Sequence, residues 1–402
     1  MPVSKSRKAH RLNGGLNTRV DPSLIDEGQA SVAVNVDYFD GFPQVRAGTD
    51  RAWATRPANG VVQGIYEFNQ IAADIRLVKV ATVLYSWVLA AGTNPTSLKT
   101  ALGAATIATF SALNDLALIC DGTLNLVYYG TDIDEIGKDG AETALSIAAS
   151  GTGLTGAYTY YFTRFSSILA SMEGGASATT AITLTNQGTS ITSPGGFTTT
   201  FDRVRIYRTK AGGTTYYLQG TYATGAFPVA DTTADASLGA ESTAQITRAG
   251  ATHTYEKPDA YAYTTIWNGR HWMANNTTNP SRLVWSEILA PTQFYDDSYH
   301  DLDASDGDEI TGIVPFQGDL VIFKRNRIYI ARGDPLDTLG FSSISFTKVF
   351  GKVGCMAPHS IQLIGRAIYF LSDEGVRRFD GVTAPLISED IRPDVDDHDE
   401  GR

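Results

Sequence analysis

One pattern of apolar and polar positions recurs along the chain: a short apolar run, a turn containing Gly or Asn, and a second apolar run. Its copies lie at residues 110–119, 266–274, 314–323 and 363–371, with a weaker copy at 73–78. The turns fall near positions 73, 114, 269, 318 and 365, and are therefore 41, 155, 49 and 47 residues apart. Three of these intervals match the roughly 40–50 residues of a four-stranded propeller blade. The pattern therefore predicts an all-β fold, a β-propeller.

The one long interval predicts an inserted domain. Removing one blade from it leaves about 107 residues, close to the length of one β-sandwich. The segment 146–251 is dominated by Thr, Ala, Ser and Gly, and alternating runs lie within it at 158–164, 181–185, 204–208 and 216–220. Such runs between Gly- and Ser-rich turns are typical of half-buried strands. We expect an immunoglobulin- or fibronectin III-like β-sandwich that shares few core contacts with its host.

These intervals divide the chain into five parts. We predict an N-terminal arm at 1–30, a first propeller part at 31–145, the inserted β-sandwich at 146–251, a second propeller part at 252–390 and an acidic C-terminal tail at 391–402. Residues 5–11 carry four basic side chains and are too polar to form a core. We interpret this stretch as a docking extension that becomes ordered on assembly.

Composition limits the classes of function. The 402 residues carry a formal net charge of −11, which argues against a protein that coats nucleic acid. The content of 39 Gly, 19 Tyr and 17 Phe favours strands and tight turns. The basic N-terminus is not followed by the apolar run of a secretory signal, and no window approaches the roughly 20 apolar residues of a membrane helix. We expect no membrane insertion.

The residues around each candidate cofactor or metal motif argue against a binding site. Gly151–Gly156 matches G-x-G-x-x-G, but a strand follows where a dinucleotide site needs a helix, so we interpret it as a Gly-rich linker. The six histidines show no ligand spacing to one another or to the cysteines, which indicates no zinc site. Cys120 and Cys355 lie in apolar runs and are expected to be small buried side chains. We therefore assign no catalytic, cofactor-binding or metal-binding residue.

Two charged segments leave alternatives open. The acidic run 296–309 suits a hard cation, but its spacing departs from an EF-hand loop, and a solvated loop with Asx turns is favoured. Whether the run binds a cation stays open. The basic segment Lys324–Arg327 is predicted to be a hairpin tip. Protection of an exposed strand edge is the favoured role for these charges, with a phosphate or protein contact as the alternative.

Many short motifs together resemble the nozzle proteins of short bacteriophage tails, which combine a β-propeller with a fibronectin III-like insertion. They lie at 14–19, 24–30, 35–41, 268–272, 282–286, 306–312, 318–324, 354–360, 370–376 and 379–381, with 204–209 and 213–217 in the insertion. The resemblance covers residues 12 to 390. Because the chain soon reaches an acidic tail after Ser388, where the family has further strands, the number of blades is left open.

The resemblance implies a structural virion protein of the distal tail tube rather than an enzyme. It implies a homo-oligomeric ring, with a hexamer favoured, that is assembled in the host cytoplasm and contacts a tail adaptor and tail fibre or needle proteins. DNA would pass through the ring during ejection without specific binding, and no cofactor is implied. The acidic clusters 296–309 and 389–400 are expected to face that passage and repel phosphates. A receptor-binding tail module and, less favoured, a glycan-active propeller enzyme are the alternatives.

Overall fold

A computed structural model describes residues 60–69, 74–88, 94–130, 132–137, 142–169, 172–248, 251–335, 343–349 and 351–389, together with the backbone of four short strands before residue 46. Within this part of the chain the regular structure is β-strand, apart from three 3-10 helices at Thr224–Ala226, Asp235–Ser237 and Pro358–Ser360. No helix among these residues is long and apolar enough to cross a membrane. The predicted docking extension at 5–11, within the N-terminal arm 1–30, and the acidic tail at 391–402 lie outside the described residues.

The first strands form small pairs and then two complete four-stranded sheets. Strands β1 (Gly15–Leu16) and β2 (Gln29–Ala30) pair in parallel, and β3 (Val36–Phe39) and β4 (Phe42–Val45) form a hairpin. The first sheet contains β5 (Val62–Asn69), β6 (Asp74–Val80), β7 (Val83–Val88) and β8 (Thr96–Lys99). The second contains β9 (Thr109–Leu113), β10 (Leu116–Cys120), β11 (Asn125–Tyr129) and β12 (Asp132–Glu135). In both sheets the strands are antiparallel and neighbour one another in chain order.

The inserted segment forms a five-stranded antiparallel sheet of its own. Its strands are β13 (Ile147–Phe165), β14 (Thr180–Ile191), β15 (Arg203–Thr209), β16 (Tyr216–Ala223) and β17 (Val229–Asp231), in the order β16-β15-β13-β14-β17. The long β13 pairs with β14 up to Tyr160 and with β15 from Tyr160 onward. All four alternating runs predicted in this segment are strands. A two-stranded ribbon, β18 (Gln245–Arg248) and β19 (Ala251–Thr254), leads the chain out of it.

Three further sheets follow the insertion. The first contains β20 (Tyr263–Trp267), β21 (Arg270–Ala274), β22 (Arg282–Trp285) and β23 (Tyr299–Asp301). The next contains β24 (Ile310–Phe316), β25 (Asp319–Lys324), β26 (Ile328–Arg332) and β27 (Ser345–Lys348). The last has β28 (Gln362–Ile364), β29 (Ala367–Ser372) and β30 (Gly375–Phe379), and an isolated bridge joins Arg377 of β30 to Leu386.

The repeat predicted from the sequence coincides with the first hairpin of each sheet. The turns are Asn114-Asp115, Asn268-Gly269, Gln317-Gly318 and Gly365-Arg366. In the first three, both central residues have positive φ, the type I′ geometry whose twist matches that of the flanking strands. The turn predicted near 73 lies outside the described residues, but it joins β5 to β6, whose ends Asn69 and Asp74 are paired. Four-stranded antiparallel meanders at this interval are propeller blades, so the predicted all-β, β-propeller fold class with an insertion is confirmed.

Gly318 provides a test of the turn geometry. Its φ is +91°, and no heavy atom lies within 4 Å of the Cβ that alanine would add. Gly318→Ala is therefore expected to lower the free energy of unfolding by about 1–2 kcal/mol, through backbone conformation alone. Gly225→Ala is the matched control, because that site is equally open and has no positive φ. Urea unfolding of both variants checks this, and equal stability of the two would contradict it.

The chain divides into two compact units, of which the larger spans 55–308 and 332–345 and the smaller contains 309–331 and the residues from 346 onward. In the larger unit β10 is buried on both faces. Leu116, Leu118 and Cys120 face a core shared with β21 and β22, whereas Ala117 and Ile119 face a core shared with β5, β6 and β7. This double burial is the reason that β10 reads as a continuous apolar run.

Aromatic side chains pack within these sheets and between them, and the two cysteines are buried as predicted. Tyr66 of β5 stacks on Phe110 of β9 with ring centroids 5.3 Å apart, and the ring of Trp272 lies 5.2 Å from that of Trp285. Cys120 and Cys355 are fully buried free thiols. In the smaller unit, Phe316, Phe323, Phe370 and Phe379 form one cluster that includes Cys355.

The glycine-rich motif 151–156 is part of a strand and not the linker we expected. It lies within β13, where the pairing with β14 shifts register between Ser150 and Leu154 and again between Leu154 and Gly156. Gly151, Gly153 and Gly156 all have positive φ, which lets the strand bulge and then resume pairing. The role of the motif is structural, because its glycines adopt the positive φ angles that the bulge in β13 requires.

The inserted sheet has its own core, but it is less separate from its host than expected. Tyr158, Tyr160 and Phe162 pack with Leu184 and Val204 inside the insertion. However, its loops also contribute Leu169, Met172 and Phe201 to the core formed by β10, β11, β21 and β22. The expectation of few shared core contacts is therefore wrong at this end of the insertion, where β13 and β15 meet in the pair Phe165–Arg203.

Candidate functional site

The acidic run 296–309 lies at the outer edge of its sheet. It follows β22 and passes through β23, the last strand in the order β20-β21-β22-β23. Asp301 of β23 accepts two hydrogen bonds from Arg282 of β22, from Nε and from an Nη nitrogen, each at 2.7 Å. These bonds and the charge of Arg282 lower the pKa of Asp301, although partial burial opposes them. This carboxylate therefore stabilises the outermost strand pair.

The end of the run has the turn structure predicted from the sequence. The backbone N–H of Asp308 donates to Oδ1 of Asp306 at 2.9 Å, an Asx turn. The hydroxyl of Ser281 donates to the carbonyl oxygen of Asp308 at 2.8 Å and holds the loop against the start of β22. Since no α-helix flanks the described run, the EF-hand interpretation is excluded.

The beginning of the run meets a histidine that is distant in sequence. Nδ1 of His253 lies 2.7 Å from Oδ1 of Asp296, and Nε2 lies 3.5 Å from Oδ2 of Asp297. The three side chains are 19%, 36% and 27% exposed, so solvent reaches all of them. One ligand atom from each lies within 4.8 Å of the other two. We define these three residues as the His253 cluster.

Backbone pairing holds the His253 cluster together. The ribbon strand β19 carries His253, and the chain beyond it forms an antiparallel bridge between Tyr255 and Tyr295. The two tyrosine rings pack with centroids 4.6 Å apart. The N–H of Asp296 donates to the carbonyl oxygen of Thr254 at 3.1 Å. The cluster therefore connects the exit of the insertion to the segment that precedes β23.

Sequence reasoning missed this cluster. The histidines have no ligand spacing to one another or to the cysteines, and His253 and Asp296 are 43 residues apart in the sequence. No regular spacing signals such a pair, because the bridge between Tyr255 and Tyr295 creates it. The partial signal was the acidic run itself, for which a cation remained an open alternative.

A second histidine, His271, is buried between two sheets. Its Nε2 lies 2.7 Å from Oγ1 of Thr264, which in turn lies 2.8 Å from Oγ of Ser111 in β9. Its Nδ1 lies 2.9 Å from the carbonyl oxygen of Pro291. Burial lowers the pKa of His271 to about 4, against the opposing effect of that carbonyl. The imidazole is therefore neutral, and its hydrogen bonds through Thr264 to Ser111 connect the two sheets. Both ring nitrogens have partners inside the protein, so neither is available to react with a molecule from solvent.

The basic segment Lys324–Arg327 differs from the prediction of an edge-protecting tip. It connects β25 to β26, the two central strands of their sheet, so no exposed strand edge lies beside it. Lys324 is fully buried, and its carbonyl oxygen accepts the N–H of Cys355 at 3.0 Å. Of the other three residues, Arg325 and Asn326 are exposed and Arg327 is half-buried. The central position of the hairpin explains the difference, because both of its strands have neighbours.

Comparisons with known proteins give only distant likenesses. No protein-family model and no curated protein matches the chain. Among solved structures, Hsv2 of Kluyveromyces lactis with loop 6CD replaced by a Gly-Ser linker is 10% identical over 72% of this chain and 71% of that chain, with a TM-score of 0.26. The AfRom2 CNH domain is 11% identical over 86% of this chain and 93% of that chain, with a TM-score of 0.24. At these values the likeness says nothing about activity or partners.

Proposed function

We propose that this protein is a structural component of a short bacteriophage tail, a nozzle protein that forms a ring around the path of the ejected DNA. The proposal rests on the resemblance of its motifs to that family. The observation that supports it is the position of those motifs in the sheets of the fold. Residues 268–272 and 318–324 each form a first hairpin turn and the strand after it, in two successive sheets. Residues 282–286 contain β22, the third strand of its sheet, and residues 370–376 contain the turn that joins β29 to β30. The resemblance therefore follows the repeated framework of the fold.

Exposed apolar side chains on strands at sheet edges support self-assembly. In the larger unit, Ile65 projects to solvent from β5, the edge strand of its sheet. In the smaller unit, Leu363 and Ile364 project from β28, also an edge strand. Exposed apolar groups beside unpaired strand edges favour contact with another chain. A homo-oligomeric ring, with a hexamer favoured, would cover them.

Passage of DNA through such a ring requires a wall that does not hold phosphates. A net charge of −11 per chain, repeated by symmetry, provides repulsion. Three of the seven acidic side chains in 296–309 are already paired with His253 or Arg282. We therefore assign the repulsion to the charge of the whole ring and not to this run alone.

The oligomeric state tests the proposal. Purified full-length protein examined by native mass spectrometry and negative-stain electron microscopy is expected to form a ring, sixfold by preference, with an axial opening. Ile65→Asp and Leu363→Asp are expected to shift the population toward monomers while the circular dichroism stays that of the wild type. Glu67→Gln, at an exposed polar position of β5, is the control and is expected to leave assembly unchanged.

Other outcomes would favour the alternatives. A monomer at every concentration would contradict the ring. A monomer that degrades polysaccharide would indicate a glycan-active enzyme. A chain that binds host cells without forming a ring would indicate a receptor-binding module.

A further inference from the structure

We propose that the His253 cluster binds a divalent transition-metal cation of the zinc class. The inference is independent of the tail function. It starts from the donor set, one imidazole and two carboxylates, contributed by two segments that meet only in the folded chain. Nitrogen and carboxylate oxygen together are the ligands of Zn²⁺ and similar ions, whereas Ca²⁺ takes six to eight oxygen ligands.

The distances within the cluster fit such an ion. Zn²⁺ bonds of about 2.0–2.2 Å in a tetrahedral site place neighbouring ligand atoms about 3.4 Å apart. Nδ1 of His253 lies 2.7 Å from Asp296 and Nε2 lies 3.5 Å from Asp297, so each carboxylate lies beside a different ring nitrogen. One ligand atom from each of the three residues lies within 4.8 Å of the other two, and rotation of these partly exposed side chains would bring one ring nitrogen and both carboxylates onto a single ion. Because all three groups are partly exposed, water has access to the fourth position.

Charge also favours a divalent ion. Asp296 and Asp297 place two negative charges beside one imidazole. A protonated His253 would offset one of them, whereas a dication bound by neutral imidazole offsets both. The two segments that carry the ligands are held side by side by the backbone. The bridge between Tyr255 and Tyr295 and the hydrogen bond from Asp296 to Thr254 join them and do not involve the ion.

Binding would clamp the exit of the insertion to the segment ahead of β23. A ligand that binds the folded chain and not the unfolded chain stabilises the fold. The ion would thus act structurally, by joining the ribbon β18–β19 to a loop of the neighbouring sheet.

The test uses the full chain, freed of metal with a chelator, and ZnCl₂ as the probe. Isothermal titration calorimetry is expected to show one equivalent of Zn²⁺ per chain. His253→Gln, Asp296→Asn and Asp297→Asn are each expected to weaken binding by at least about tenfold. His300→Gln, which changes a histidine three positions beyond Asp297, is the matched control and is expected to bind as the wild type does. Co²⁺ in place of Zn²⁺ should give absorption bands that the His253→Gln variant loses.

Thermal unfolding gives a second readout. Zn²⁺ is expected to raise the Tm of the wild type and of His300→Gln, and not that of His253→Gln. Circular dichroism without metal confirms that each variant is folded. Absence of stoichiometric binding would overturn the proposal and leave the cluster as a histidine hydrogen-bonded to a carboxylate. Binding that survives in His253→Gln would also overturn it, because the ion would then lie elsewhere.

Discussion

Asp121→Ala is expected to lower the free energy of unfolding by about 3–5 kcal/mol, because it leaves the ammonium group of Lys79 buried without its counter-ion. Lys79 of β6 and Asp121, the residue after β10, are both fully buried, and Nζ lies 3.5 Å from Oδ2. Nζ also donates to the carbonyl oxygen of Gly103 at 2.7 Å and to Oγ1 of Thr106 at 2.9 Å. Asp121 itself accepts the backbone N–H groups of Gly103, Thr123 and Leu124, each at 2.9 Å. The hydroxyls of Thr123 and Thr106 also donate to it, at 2.6 and 3.2 Å, so the substitution removes a counter-ion and the acceptor of five hydrogen bonds at once.

Two comparisons isolate the charge. Combining Lys79→Met with Asp121→Ala is expected to cost less than the sum of the single changes, because no isolated charge then remains buried. Glu67→Ala removes the exposed partner of Arg76 in the same sheet, 3.5 Å away, and is expected to cost less than about 1 kcal/mol. Urea unfolding at pH 7 measures all of these. An Asp121→Ala effect as small as that of Glu67→Ala would contradict the assignment.

The same carboxylate predicts a pH dependence. Burial alone would raise the pKa of Asp121, but the hydrogen bonds from Thr123, Leu124 and Gly103 outweigh it and lower the pKa. A lowered pKa in the folded state means that the stabilisation is present above the unfolded pKa of about 3.9 and is lost as the pH falls through the folded value. The stability difference between wild type and Asp121→Ala is therefore expected to be full at pH 7 and to shrink below about pH 4.

Met172→Ala is expected to lower the free energy of unfolding by about 2–5 kcal/mol, the cost of a cavity in a packed core. Met172 is fully buried in the core that loops of the insertion share with β10, β11, β21 and β22. Ile168→Ala, four positions earlier in the same loop, is the matched control. Its side chain is 57% exposed, and we expect a change within about 0.5 kcal/mol.

Amide hydrogen exchange would show where the effect of Met172→Ala is felt. Faster exchange is expected in β10 and β21 as well as in the loop, because these elements share one core. Exchange that increases only within the insertion would show that it folds separately from its host. The result also bears on excision of residues 146–251, which would remove Leu169, Met172 and Phe201 and expose the side chains they cover.

The sequence by itself determined the fold class and the repeat. Each hairpin is predicted by a few consecutive residues: a turn such as Asn268-Gly269 or Gln317-Gly318, with an alternating or continuous apolar run on either side. The same holds for the strands within 146–251 and for the burial of Cys120 and Cys355, which follow from the neighbours of each residue in the sequence. These predictions are confirmed because each depends on a few adjacent positions.

Only the tertiary structure decided which distant residues meet. His253 faces Asp296 and Asp297 because one strand bridge brings together segments 43 residues apart. Lys324 is buried because its hairpin lies at the centre of a sheet, and Met172 enters a host core because an insertion loop packs against it. Periodicity shows which face of a strand is apolar, but not which surface will cover that face. Pairing and packing between sequence-distant segments make that choice, through contacts that no local pattern encodes.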